Sequence, residues 1–117
     1  MTEVRGHFTA VLIYLPIVWV FAGFAEEIGY RGYLLNRLAA ALGGTRLADV
    51  IAVLGSAALF GFGHYYKGPA GILDSGVAGV ILGTVYLISG RNLWTCVLTH
   101  GFIDTFGVFA PYQGWDN

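Results

Sequence analysis

Six ionisable side chains lie within or at the edge of the apolar stretches of this chain: Glu26, Glu27, His64, Asp74, His100 and Asp104. An acidic residue at mid-bilayer costs about 2.5–3.5 kcal/mol even on lenient insertion scales, so such groups usually face an interior cavity and have partners there. Spacing sharpens the set. His100 and Asp104 are four apart in THGFIDTFG, which puts both on one helical face. Glu27 and Arg31 are also four apart, so the arginine can neutralise Glu27 while Glu26, on a different face, is left for other work. His64 closes FGFGH with Phe60 one turn before it. Three helices can therefore each bring a polar group to one pocket. A carboxylate there can take a proton from water, while imidazoles position the water or stabilise a developing oxyanion. The same donors, Glu26, His64, His100 and Asp104, also suit a zinc ion with an open position. Both chemistries stay open at this point, and the zinc-protease signature HExxH is absent.

Each signal alone has a bland explanation. A single intramembrane histidine is often a hydrogen-bonded packing residue. An isolated HxxxD is common by chance, and a Glu-Glu pair beside Arg31 can simply be solvated at the membrane surface. Asp74 sits near a span end among Gly and Ser with no periodic partner, and is read as solvated. Three such motifs in order, each on its own apolar helix, are far rarer than any one of them.

The elements that must carry these residues are membrane helices. Of 117 residues, 56% are hydrophobic and 11% charged, against about 25% charged in typical globular chains. A soluble fold could not cover its surface with so few charges, so the exterior faces lipid. The expected fold is all-α: a single-domain transmembrane bundle of about four spans plus a surface amphipathic helix. The spans run Phe8 to about Ala25, Leu47 to Tyr65, Ala70 to Ser89 and Leu93 to Ala110. The first carries no formal charge; it is longer than a secretory core and ends in Ala25-Glu26-Glu27 rather than at a cleavage site. Leucines 34, 35, 38 and 42 repeat at helical spacing, which predicts a helix leaving the membrane along its surface and stopping at Gly43-Gly44. Gly79 and Gly83 form a small-xxx-small pair suited to close helix packing. Tyr65, Tyr66, Trp94, Tyr112 and Trp115 near segment ends read as interfacial anchors.

Charge and cysteine content exclude other classes. A net charge of -1 leaves no basic field for nucleic acid. Cys96, the single cysteine, rules out an internal disulfide or a cysteine-rich zinc site. Arg31, Arg37, Arg46 and Arg91 against Arg5 and Lys67 favour a cytoplasmic placement of the first and third loops.

Taken together, EEIGYRG, FGFGH and HGFID resemble the three motifs of the CPBP intramembrane protease family, also called the CAAX protease and bacteriocin-processing or Abi family. Those motifs are EExxxR, FxxxH and HxxxN or HxxxD. Every defining position is matched, by Glu26, Glu27 and Arg31, by Phe60 and His64, and by His100 and Asp104. The resemblance covers about residues 20 to 108. It implies a helical bundle with a polar cavity and an integral membrane endopeptidase. In that reading Glu26 activates water with help from His64, and His100 with Asp104 holds the oxyanion or completes the site. Glu27, Arg31 and Phe60 shape it. The family is often labelled metalloprotease, which would put zinc on Glu26, His64, His100 and Asp104; a metal-free glutamate mechanism fits the residues as well.

The implied partners are the lipid bilayer, membrane-tethered peptides or prenylated proteins, and a second copy or partner helices. The short Gly- and Ala-rich chain reads as prokaryotic, with active-site loops facing the cytoplasm. Two departures stand out. Family members carry further spans ahead of the glutamates, which makes this chain a fragment, a minimal core, or a protein completed by partner helices. Asp104 replaces the commoner Asn, and an ionised aspartate only accepts hydrogen bonds. A proton- or ion-coupled transporter component, or a catalytically silent immunity protein, would use similar residues; motif completeness ranks the peptidase first.

Overall fold

A computed structural model describes residues 5–114, and Trp115 lies outside them. Among the described residues there are four helices and no strand: α1 (Phe8–Ala41), α2 (Arg46–Phe62), α3 (Gly68–Ile88) and α4 (Leu93–Gln113). A short 3₁₀ turn, Tyr65–Lys67, joins α2 to α3. The all-α bundle expected from composition is therefore present. The stretches Phe8–Ala41, Tyr65–Ile88 and Leu93–Gln113 are long and apolar enough to cross a membrane, while α2, with 17 residues, is the shortest helix.

The first helix does not stop at the glutamates. It continues to Ala41, and both Val18–Glu26 and Ile28–Leu35 are wound as π-helix. Such widened segments are rare and concentrate at functional sites. The helix can continue because Glu27 finds its counter-charge on the same helix, in Arg31. The leucine-rich segment is helical as its spacing demands, but it forms the end of α1 rather than a separate surface helix. Its apolar face is taken up by the core: Leu35 and Ala39 are buried with Ala52, Val53, Tyr86 and Cys96. Gly43 and Gly44, at φ 103° and 69°, end it as expected. Their N–H groups reach the carbonyls of Ala40 and Ala39 at 3.1 and 2.9 Å, the two bonds of a Schellman cap.

Helices α2 and α3 pack at nearly backbone distance. A Cβ on Gly79 would stand 2.9 Å from Ala57 Cα, and one on Gly83 would stand 3.1 Å from Val53 Cγ1. Thr45 caps α2 by accepting from the Ala48 N–H at 3.1 Å, and Asn92 caps α4 by accepting from the Trp94 N–H. At that same end a polar clasp ties three helices. Arg91 donates to Asn36 and to Asp49, each at 2.9 Å, and Asn36 contacts the Tyr86 hydroxyl at 2.7 Å.

Large apolar side chains point outward along every helix, among them Phe21, Leu54, Val77 and Phe102. That exterior fits lipid. Arg31 is buried inside the bundle rather than in a loop, which reduces the basic excess of the first and third loops to Arg37, Arg46 and Arg91 against Arg5 and Lys67. His64 and the Tyr65–Lys67 turn lie between α2 and α3, at the opposite end from those loops. The charge bias and a cytoplasm-facing site loop thus point to opposite ends of the molecule.

Candidate active site

The three motifs meet. Glu26 and Glu27, adjacent on π-wound α1, point in different directions because consecutive helical residues diverge around the axis. Glu27 turns inward and is fully buried. Its Oε1 accepts from Arg31 Nη1 at 3.1 Å and faces His100 Nδ1 at 2.7 Å. Arg31 is buried as well; its Nη2 donates to the Gly79 carbonyl on α3 at 3.1 Å, and its guanidinium lies 4.7 Å over the Phe60 ring. His100 Nε2 faces Asp104 Oδ2 at 3.1 Å. With both carboxylates ionised, each contact is satisfied when both ring nitrogens carry hydrogen.

Glu26 turns the other way. Its side chain keeps 26% of its surface exposed, and its Oε2 lies 3.6 Å from His64 Nε2. That separation is too long for a direct hydrogen bond. His64 Nδ1 sits 2.7 Å from the Phe60 carbonyl. A carbonyl only accepts, so Nδ1 carries the hydrogen, and in its neutral form His64 presents a bare Nε2 to Glu26. Phe60 is the hub of this arrangement. Its ring meets His64 at 4.7 Å, Tyr30 at 5.0 Å and His100 at 5.9 Å.

A cavity of about 450 Å³ is lined by Glu26, His64, His100, Asp104 and Phe60 together. A second, of about 420 Å³, shares Val18, Ala22, Glu26, His64 and Tyr66 with it and adds Ile17, Phe21, Tyr30 and Gly63. The pair therefore stands where two largely apolar cavities adjoin, the first of which also gathers His100 and Asp104.

Two further features were not read from the sequence. His100 is held between Glu27 and Asp104, so the Glu27 carboxylate meets both Arg31 and the third motif. Asp74, read as solvated, is exposed, and it also lines the first cavity, as do Lys67 and Ser75. Lys67, the last residue of the turn, and Asp74 on α3 are seven residues apart, a spacing that suits one side of the segment following His64. That was the available signal. The zinc reading meets an obstacle: among the described residues no three His, Cys, Asp or Glu side chains are grouped to hold an ion. His100 also has each ring nitrogen turned to a carboxylate. As arranged, these donors do not fit a resident metal.

The sequence profile of the type II CAAX prenyl endopeptidase Rce1-like family matches residues 8–106. The chain belongs to this family. The match runs from the first turn of α1 past Asp104, so all three motifs fall within it, in agreement with the resemblance read from those motifs. Rce1-like membership implies a protease, and with the three candidate spans it marks the chain as an integral membrane protein. No curated relative and no solved structure matches the chain.

Proposed function

We propose that this Rce1-like chain hydrolyses a peptide bond in membrane-tethered or prenylated peptides, with Glu26 as the base and without a metal. The observation that carries this reading is the Glu26–His64 pair, 3.6 Å apart, in the wall common to both cavities. Glu26 Oε2 and His64 Nε2 are both acceptors, so a water between them donates one hydrogen to each and keeps a lone pair for attack. As the oxygen adds to the scissile carbonyl, Glu26 takes its proton. His100, held between Glu27 and Asp104, shares its one Nε2–H between Asp104 and the oxyanion. Asp104 acts through His100, not as a donor itself. Glu26 then returns its proton to the leaving amine, giving a free carboxylic acid and a free amine for each water consumed. The second cavity, with Ile17, Val18, Phe21 and Ala22 in its wall, takes the lipid or apolar side chains beside the scissile bond.

The test is cleavage of a prenylated peptide by protein in lipid nanodiscs, with products read by mass spectrometry and metal content measured in the same sample. Cleavage should persist after chelation. Activity lost on chelation and restored by zinc would overturn the metal-free step, and no cleavage of any tethered peptide would favour the transporter or immunity readings. We assign the chain to a prokaryotic cell membrane. Its Tyr65–Lys67 end faces the cytoplasm, where tethered substrates are made; cysteine labelling at Gly43 and Lys67 from each side reads this orientation.

A further inference from the structure

Just N-terminal of the glutamates, α1 and α4 cross at a close contact between glycines, where only Gly101 has no room for a side chain. Gly23 and Gly101 face each other, a Cβ on Gly23 falling 3.7 Å from Gly101 Cα. The Trp19 indole packs against Gly101, where an added Cβ would stand 2.5 Å from Trp19 Cε3. The indole Nε1–H donates to Thr105 Oγ1 at 3.0 Å, and that hydroxyl donates to the Gly101 carbonyl at 2.7 Å. The Phe102 ring meets the indole edge-on at 5.3 Å. Trp19 is thus clamped to the residues that directly follow His100 and Asp104 in the chain.

On α1, Trp19, Gly23 and Glu27 are each four apart, a spacing that suits one stripe of the helix. On α4 the clamped positions 101 and 105 adjoin 100 and 104. Fixing the first contact therefore fixes the second, the 2.7 Å approach of His100 Nδ1 to Glu27 Oε1. We propose that Trp19 is a positioning residue: docked on Gly101 and bonded to Thr105, it sets the rotation and height of α4 against α1 so that His100 meets Glu27 and turns Nε2 to Asp104 in the first cavity. A mere apolar filler would need neither the indole N–H nor the hydroxyl that receives it. The margin is small, since a slip of about 1 Å takes a 2.7 Å bond out of range and can cost about 10²-fold in rate.

The test has two arms. In ¹⁵N-histidine-labelled protein in nanodiscs, the His100 Nδ1 proton, assigned with His100→Gln, reports its bond to Glu27 whether or not the protein cleaves anything. Gly29→Ala, whose added Cβ meets nothing within 4 Å, is the control and keeps the signal. Thr105→Val, of nearly unchanged size, and Gly101→Ala are expected to shift or abolish it. The kinetic arm rests on the peptidase reading: kcat falls about 10²-fold in Gly101→Ala and about tenfold in Thr105→Val, with KM within about twofold. If Gly101→Ala fails to fold, Thr105→Val decides. An unchanged His100 signal in a folded Thr105→Val protein overturns the proposal, while a shifted signal without peptidase activity in the parent protein sinks only the reaction assigned above.

Discussion

Glu26 and Glu27 are neighbours in the chain with opposite surroundings. Glu27 is sealed from solvent, bridges Arg31 and His100, and through Arg31 reaches the backbone of α3 at Gly79. Glu26 keeps part of its surface open to two cavities and has His64 at 3.6 Å as its nearest ionic partner. A sealed carboxylate already committed to two fixed partners has no open approach for water or substrate. One that faces a cavity and a bare imidazole nitrogen can accept a proton and give it back. The pair therefore divides labour: Glu27 holds three helices in register, and Glu26 is free to do chemistry. Substitutions on each side should separate the two roles.

After Glu26 itself, the largest expected effect on the open side comes from His64→Ala, which should lower kcat by about 10²-fold or more while leaving the thermal midpoint of purified protein nearly unchanged. A large drop in the midpoint would mean that His64 belongs to the scaffold. On the sealed side Glu27→Ala strands the Arg31 cation inside the bundle, and breaking a buried pair in this way costs about 3–5 kcal/mol. Thermal unfolding in detergent should show it directly, and a midpoint equal to that of the parent would contradict the locked role. Phe60→Leu removes the ring under the Arg31 guanidinium and should cost about 1–2 kcal/mol, with a smaller loss of activity. The smallest effect is predicted at the far clasp. Arg91→Ala loses a partly exposed contact to Asp49 and should change stability by about 0.2–1 kcal/mol, with turnover intact. If it lowered turnover as much as Phe60→Leu, the division between site and remote scaffold would be wrong.

What could be read from the sequence was the part that helix geometry fixes locally. Glu27 with Arg31, Phe60 with His64, and His100 with Asp104 are all four apart, and each pair is in contact in the structure. The glycines of α3 were readable for the same reason, because a small residue at every fourth position makes a groove. The pairings that define the site run between helices. Glu27 with His100 spans 73 positions, and Arg31 with the Gly79 carbonyl spans 48. Such contacts depend on crossing angles and register, which no spacing along one helix encodes. The continuation of α1 past the glutamates was hidden for a related reason. Two adjacent acids look like the edge of a membrane until their counter-charge is seen to lie on the same helix, inside the bundle. Trp19 read as one more apolar residue because its partner Thr105 is on the last helix.

The most direct test of the division between the two acids is Glu26→Gln in lipid nanodiscs, with cleavage of a prenylated peptide and the thermal midpoint measured on one preparation. Turnover should fall by about 10⁴-fold, the upper range for losing a general base, at a midpoint equal to that of the parent protein. Cleavage at the parental rate by folded Glu26→Gln protein would contradict the assignment of Glu26 as the base.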